Sequence, residues 1–125
     1  MFSVEADKAT RFIVLSVVGH VTTDEVKLAA QRVRELVENA APGFQVLTDL
    51  RWLESMPTSA SQHVAEIMDA LAKKKVGSIA RVVPDPRKDI GLNILSQFHY
   101  GSQIQAMTFE TMADALQSLV EQSAK

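Results

Sequence analysis

Two adjacent hydroxyls, Thr58 and Ser59, follow Pro57 where a helical pattern begins. Residues of this type at such a place do one of two things. They cap the helix by accepting one of its free amide N–H groups, or they carry a phosphate, which the positive end of a helix favours. Capping is the ordinary use. Asp49 is the second candidate: it stands near the carboxyl end of a strand pattern over 44–50, where open α/β sheets seat their ligands. Arg51 is two residues on, and Arg81 of the next strand is expected nearby. Asp49 is either half of an ion pair or a polar anchor in a pocket. No second carboxylate is placed beside it, so an acid/base pair cannot be argued. Trp52 is expected on the loop that follows.

The third candidate is an apolar helix over 87–100, behind Pro84, Asp85 and Pro86. Ile90, Ile94, Leu95 and Phe98 share one face, with Leu92 outside it and Arg87, Lys88, His99 and Tyr100 flanking. Such a helix either completes the core or acts as a lid over an apolar pocket, with at most peripheral contact with a membrane surface. Asp49, Trp52, Leu92, Leu95 and Phe98 together form the candidate ligand or partner surface.

Other chemistries lack their residues. His20, His63 and His99 lie on three separate elements, without the spacing of a metal-binding pair. His63 is expected to face solvent. Neither the glycine-flanked serine of a hydrolase elbow nor a glycine-rich phosphate loop is present. Cysteine is absent, which removes thiolate catalysis and disulfides. No catalytic residue, metal or cofactor is therefore expected. The net charge is −2, from 13 basic and 15 acidic side chains well interspersed, and aromatic residues are few. That excludes a built nucleic-acid face. Lys73, Lys74 and Lys75 form the one short basic run, which reads as a solvated helix end. The longest apolar run, 12–18, is far short of the ~20 residues that span a bilayer. Residues 1–7 lack a signal-peptide pattern, so a cytoplasmic location is expected.

The elements that must position these residues are legible as patterns. Residues 2–7 alternate apolar and polar, as a half-buried strand does. The β-branched run 12–18 reads as a strand covered on both faces. Thr22 and Glu25 form a capping box, and Val26, Ala29, Ala30, Val33, Leu36, Val37 and Ala40 make one helical stripe. Strand 44–50 and a helix with Ala60, Val64, Ile67, Met68 and Leu71 inward come next. Gly77 is expected to end that helix. Strand 78–83, the helix at 87–100, strand 104–109 and a helix opened by Thr111 and Asp114 complete the order. Met112, Ala115, Leu116, Leu119 and Val120 are its expected inner face. The expectation is one α/β domain over 1–125. It has about four helices and a five-stranded mixed sheet, mostly parallel, with an antiparallel first edge strand.

In this order the chain resembles the STAS superfamily, and within it the SpoIIAA-like branch of small bacterial proteins. The resemblance rests on the turn 19–25 (Gly-His-Val-Thr-Thr-Asp-Glu) and on 46–50 (Val-Leu-Thr-Asp-Leu). Residues 108–111 (Thr-Phe-Glu-Thr) and 113–116 (Ala-Asp-Ala-Leu) carry the rest. It implies a non-enzymatic, regulatory protein-interaction module that binds a protein partner or a second copy of itself. In anti-sigma-factor antagonists a serine within Asp-Ser-(Ser/Thr)-Gly is phosphorylated at the next helix. Here that place reads Pro57-Thr58-Ser59-Ala60: the Asp and Gly are replaced and the hydroxyls remain. The alternative is a carrier or sensor of a small lipophilic ligand, gated by helix 87–100.

Overall fold

The computed structural model describes residues 1–7, 11–83, 85 and 104–123. In chain order its elements are β1 (Phe2–Ala6), β2 (Phe12–His20), α1 (Thr23–Val37), β3 (Gln45–Ser55), a 3-10 turn (Thr58–Ala60), α2 (Ser61–Lys73), β4 (Ser78–Val82), β5 (Gln105–Phe109) and α3 (Met112–Ser123). The helix expected over 87–100, with Leu92, Leu95 and Phe98, lies outside the described residues.

Local chemistry sets the starts of α1 and α3. The Glu25 amide donates to Thr22 Oγ1 over 3.1 Å, and the Thr22 amide donates back to Glu25 Oε1 over 3.2 Å. That is the capping box the spacing implies. At α3 the Asp114 amide donates to Thr111 Oγ1 over 3.2 Å.

The strands lie side by side in the order β1-β2-β3-β4-β5. β1 is antiparallel to β2, and every other pairing is parallel. The crossovers through α1 and α2 step the same way across the sheet, and a common right hand puts both helices on one face. There Ile13, Leu15, Val46 and Ile79 meet Ala30, Val33, Val37, Met68 and Leu71 in one cluster. The opposite face belongs to α3: Leu47, Ala80 and Val82 pack on Ala115 and Leu119.

Burial departs from the sequence reading in two places. Among the described side chains of α3, Ala115 and Leu119 are buried, and Leu116 and Val120 are exposed. The single described helix on that face presents a narrow i, i+4 line to the sheet, with no described neighbour to cover its flank. The opposite holds for α2. His63 is 8% exposed, because α2 packs beside α1 as well as on the sheet. His63 Nδ1 lies 3.2 Å from Glu66 Oε2, and Glu66 also takes Arg34 Nη1 from α1 at 3.3 Å. The hydrogen bond with His63, with Arg34 adding to it, holds the Glu66 carboxyl below its ordinary pKa.

Candidate functional site

β2 and β3 outrun the rest of the sheet. Pairing of β3 with β4 ends at Asp49–Val82, but β3 continues along β2 to the His20–Ser55 pair. The register slips twice on the way, between Ser16 and Val18 and between Gly19 and His20. Between Ser16–Asp49 and Val18–Trp52 β3 carries one residue more than β2, as in a β-bulge. Gly19, with φ +78°, absorbs the local twist.

This extension corrects the placing of Trp52. It is a strand residue beside Val18 rather than a loop residue, and it is 62% exposed. Leu50 and Leu53 turn into the core under α1 and α2, which leaves Trp52 on the other face. The Arg51 guanidinium carbon lies 5.7 Å from the Trp52 ring centroid, within cation–π reach.

Asp49 is the ion-pair half that its spacing to Arg51 suggested. Its carboxylate accepts Arg51 Nε and Nη2, each at 3.0 Å, and the Arg51 amide at 3.1 Å. Arg81 does not join them. It pairs in register with Thr48, whereas Asp49 pairs with Val82; alternation along a strand therefore puts Asp49 and Arg81 on opposite faces. Arg81 is 3% exposed and lines an apolar cavity with Leu15, Val17, Val26 and Met68. The cavity holds about 80 Å³, smaller than the ~150 Å³ that accommodates benzene. It gives the lipophilic-carrier reading no support.

The hydrogen bonds from Arg51 hold the Asp49 carboxyl below the ordinary aspartate pKa, outweighing the opposing effect of burial. Folded Asp49 therefore takes up its proton at lower pH than unfolded Asp49 does. The pair stabilises the fold above the ordinary value of ~3.9, and the contribution is lost as pH falls through the lowered folded value. Asp49→Asn is expected to cost about 1–2 kcal/mol at neutral pH and to flatten the acid limb of the stability curve. Urea titrations from neutral pH down through the carboxylate range check both. An acid limb as steep as the wild type's would contradict the assignment.

Thr58 and Ser59 do not cap α2. They lie within the 3-10 turn, and neither Pro57 before the turn nor Ala60 before α2 makes a side-chain cap bond. The extra turn places both hydroxyls one step too early for the α2 amides. Both residues are exposed, and Ser59 Oγ instead lies 2.6 Å from Oγ1 of Thr23, the first residue of α1.

A further cluster was not read from the sequence. His20 Nδ1 lies 2.6 Å from Ser55 Oγ, and His20 Nε2 lies 2.8 Å from Glu54 Oε2. The order hydroxyl, imidazole, carboxylate is that of a serine triad. Here, though, the His20 and Glu54 side chains are 76% and 64% exposed, and Ser55 is exposed as well. The three groups fasten the ends of β2 and β3, alongside the Val21 amide bond to the Ser55 carbonyl at 2.9 Å. Only the strand register joins His20 to residues 34 and 35 positions away, so no spacing rule could have found it. Among the described residues no cluster of His, Asp and Glu is suited to a metal. No described helix is long and apolar enough to cross a membrane.

One antiparallel edge strand on a parallel sheet, with α1 and α2 on one face and α3 on the other, is the SpoIIAA-like fold of STAS domains. Three solved structures make the likeness concrete. An uncharacterised Shewanella loihica protein with a SpoIIAA-like fold superposes with a TM-score of 0.70 at 16% identity, over 95% of this chain and 92% of that one. The anti-sigma factor antagonist SpoIIAA in its unphosphorylated form gives 0.66 at 16%, over 96% and 98%. An anti-sigma factor antagonist from Mycobacterium paratuberculosis gives 0.61 at 20%, over 96% and 93%. SpoIIAA from Bacillus in its phosphorylated form also matches. The sequence matches no family model and no curated protein. What is shared at these identities is the fold.

Proposed function

We propose that this chain is a non-enzymatic, cytoplasmic regulatory module that binds a protein partner at the carboxyl rim of its sheet, with Ser59 as a phosphorylation switch. The observation that carries the reading is the position of Ser59. It is exposed, it sits on the turn between β3 and α2, and its hydroxyl joins that turn to the start of α1. The fold is shared with antagonists known in phosphorylated and unphosphorylated forms.

A phosphate on Ser59 would add a charge of about −1.5 to −2 and displace the bond to Thr23. The first turn of α1 attracts anions through its dipole, equivalent to about half a unit charge. It also carries Asp24 and Glu25; the Met1 ammonium, 2.7 Å from Glu25 Oε2, offsets one of these charges and leaves about one net negative charge, still larger than the dipole's half charge. Repulsion wins, and the turn separates from α1. Thr58 is exposed and has no such bond among the described residues, which makes Ser59 the stronger choice. Trp52 supplies the anchor: a large exposed ring, steadied by Arg51, is the kind of side chain on which interface energy concentrates.

Affinity capture with wild-type, Trp52→Ala, Ser59→Asp and Ser59→Ala baits tests the proposal. Binding to a captured protein should weaken about thirtyfold with Trp52→Ala. It should weaken with Ser59→Asp and persist with Ser59→Ala. A partner retained equally by all four baits, or none captured by the wild type, refutes it.

A further inference from the structure

We infer that β1 pairs with β1 of a second copy across a twofold axis at Val4, joining two five-stranded sheets into one. The surface is separate from the carboxyl rim and does not depend on it. Met1 and Val18 exchange both backbone bonds, at 3.1 and 2.8 Å, and the Asp7 amide donates to the Phe12 carbonyl at 3.1 Å. Odd-numbered residues of β1 therefore face β2. Even-numbered Phe2, Val4 and Ala6 direct their N–H and C=O groups outward, where no described strand meets them. Edge strands are often protected by a proline or a bulge; β1, reading Phe-Ser-Val-Glu-Ala, has neither, and its register with β2 is unbroken.

The strand is complementary to itself. An antiparallel twofold at Val4 sets Phe2 against Ala6 of the second copy and Val4 against Val4, so outward donors meet outward acceptors throughout. Large faces small on the core side, where Phe2 and Ala6 are half-buried. On the other side Glu5 faces Ser3 of the second copy rather than another Glu5, and no like charges are opposed. These Ser3–Glu5 pairs are the closely spaced kind without backbone bonds between them. The groove beside β1 continues over Leu28, Gln31, Arg32 and Glu35 of α1. Leu28, 53% exposed, would be covered by the second copy.

Sedimentation equilibrium over a wide concentration range, with circular dichroism on each variant, tests the register. Ser3 is exposed, so substitution there leaves the fold intact. The wild type should form a dimer. Ser3→Glu places two carboxylates opposite one another twice and should raise the dimer Kd about tenfold, whereas Ser3→Lys should lower it by a similar factor. A wild type that stays monomeric up to its solubility limit overturns the inference. So does a dimer whose Kd responds to neither variant, or responds to both in the same direction.

Discussion

Phe44→Ala is expected to lower the unfolding free energy by about 3–5 kcal/mol, the largest loss foreseen for any single truncation here. The ring is 2% exposed and belongs to the main cluster with Val37, Leu71 and Val76. It sits just before β3, where the chain leaves the turn after α1 and enters the sheet. Its own amide donates to the Ala41 carbonyl at 3.1 Å, and its carbonyl accepts the Gly77 amide at 2.7 Å. The backbone is thus held on both sides and cannot collapse into the space the ring leaves, so the cost falls toward the upper end. Against a typical stability of about 5–15 kcal/mol, the variant stays folded only with reserve, and its thermal midpoint should drop by roughly 10–20 °C. Thermal and urea unfolding followed by circular dichroism measure it. Trp52→Ala, at an exposed site, should change stability by no more than ~0.5 kcal/mol. Equal losses for the two variants would mean that the core assignment is wrong.

That contrast divides the molecule. Phe44 lies at the amino end of the parallel strands, where loops close the core. Trp52, Ser55 and Ser59 lie at the carboxyl end, where side chains are exposed and hydroxyls bond across elements. Ligands of open α/β sheets are seated at the carboxyl end. Changes at the foot should therefore act through the population of folded protein, and changes at the rim through binding.

Periodicity and capping were legible because they are local. The Thr22–Glu25 box and the stripe from Val26 to Val37 require only neighbours within a turn, and both form as read. The antiparallel edge strand was also readable, since a short connection allows only a hairpin. What failed was decided by distant partners. β3 runs past Leu50 because β2 is long enough to pair with it, so Trp52 is on a strand. Ser59 turns to Thr23 because α1 begins beside it in space. Asp49 and Arg81, neighbours by strand order, point to opposite faces because their register partners are Val82 and Thr48. His63 is buried because α2 has α1 beside it, a lateral contact that a pattern facing the sheet cannot reveal.

Gly77→Ala should be the second most damaging change, at about 2–4 kcal/mol, for a reason its place after α2 does not suggest. A glycine just beyond a run of lysines reads as a left-handed helix cap. The left-handed residue there is Lys75, with φ +63°. Gly77 is held by contact instead: a Cβ on it would lie 2.5 Å from the Gly43 carbonyl oxygen, 3.0 Å from its carbon and 3.1 Å from its Cα. Those are backbone atoms, and they cannot swing aside. The Gly43 amide donates to the Lys75 carbonyl at 2.9 Å, and the Gly77 amide to the Phe44 carbonyl at 2.7 Å, so making room for a methyl strains both bonds. Gly43→Ala has open space around its Cβ and bears only the cost of its φ of +87°, about 1–2 kcal/mol. Lys75→Gly relieves a left-handed side chain and should stabilise by up to about 1 kcal/mol, offset in part by the flexibility of glycine in the unfolded chain. Urea unfolding of the three variants should rank them in that order. If Gly77 were an ordinary cap, Gly77→Ala would cost no more than Gly43→Ala, and that ranking would show the two loops to be farther apart than the 2.5 Å approach requires.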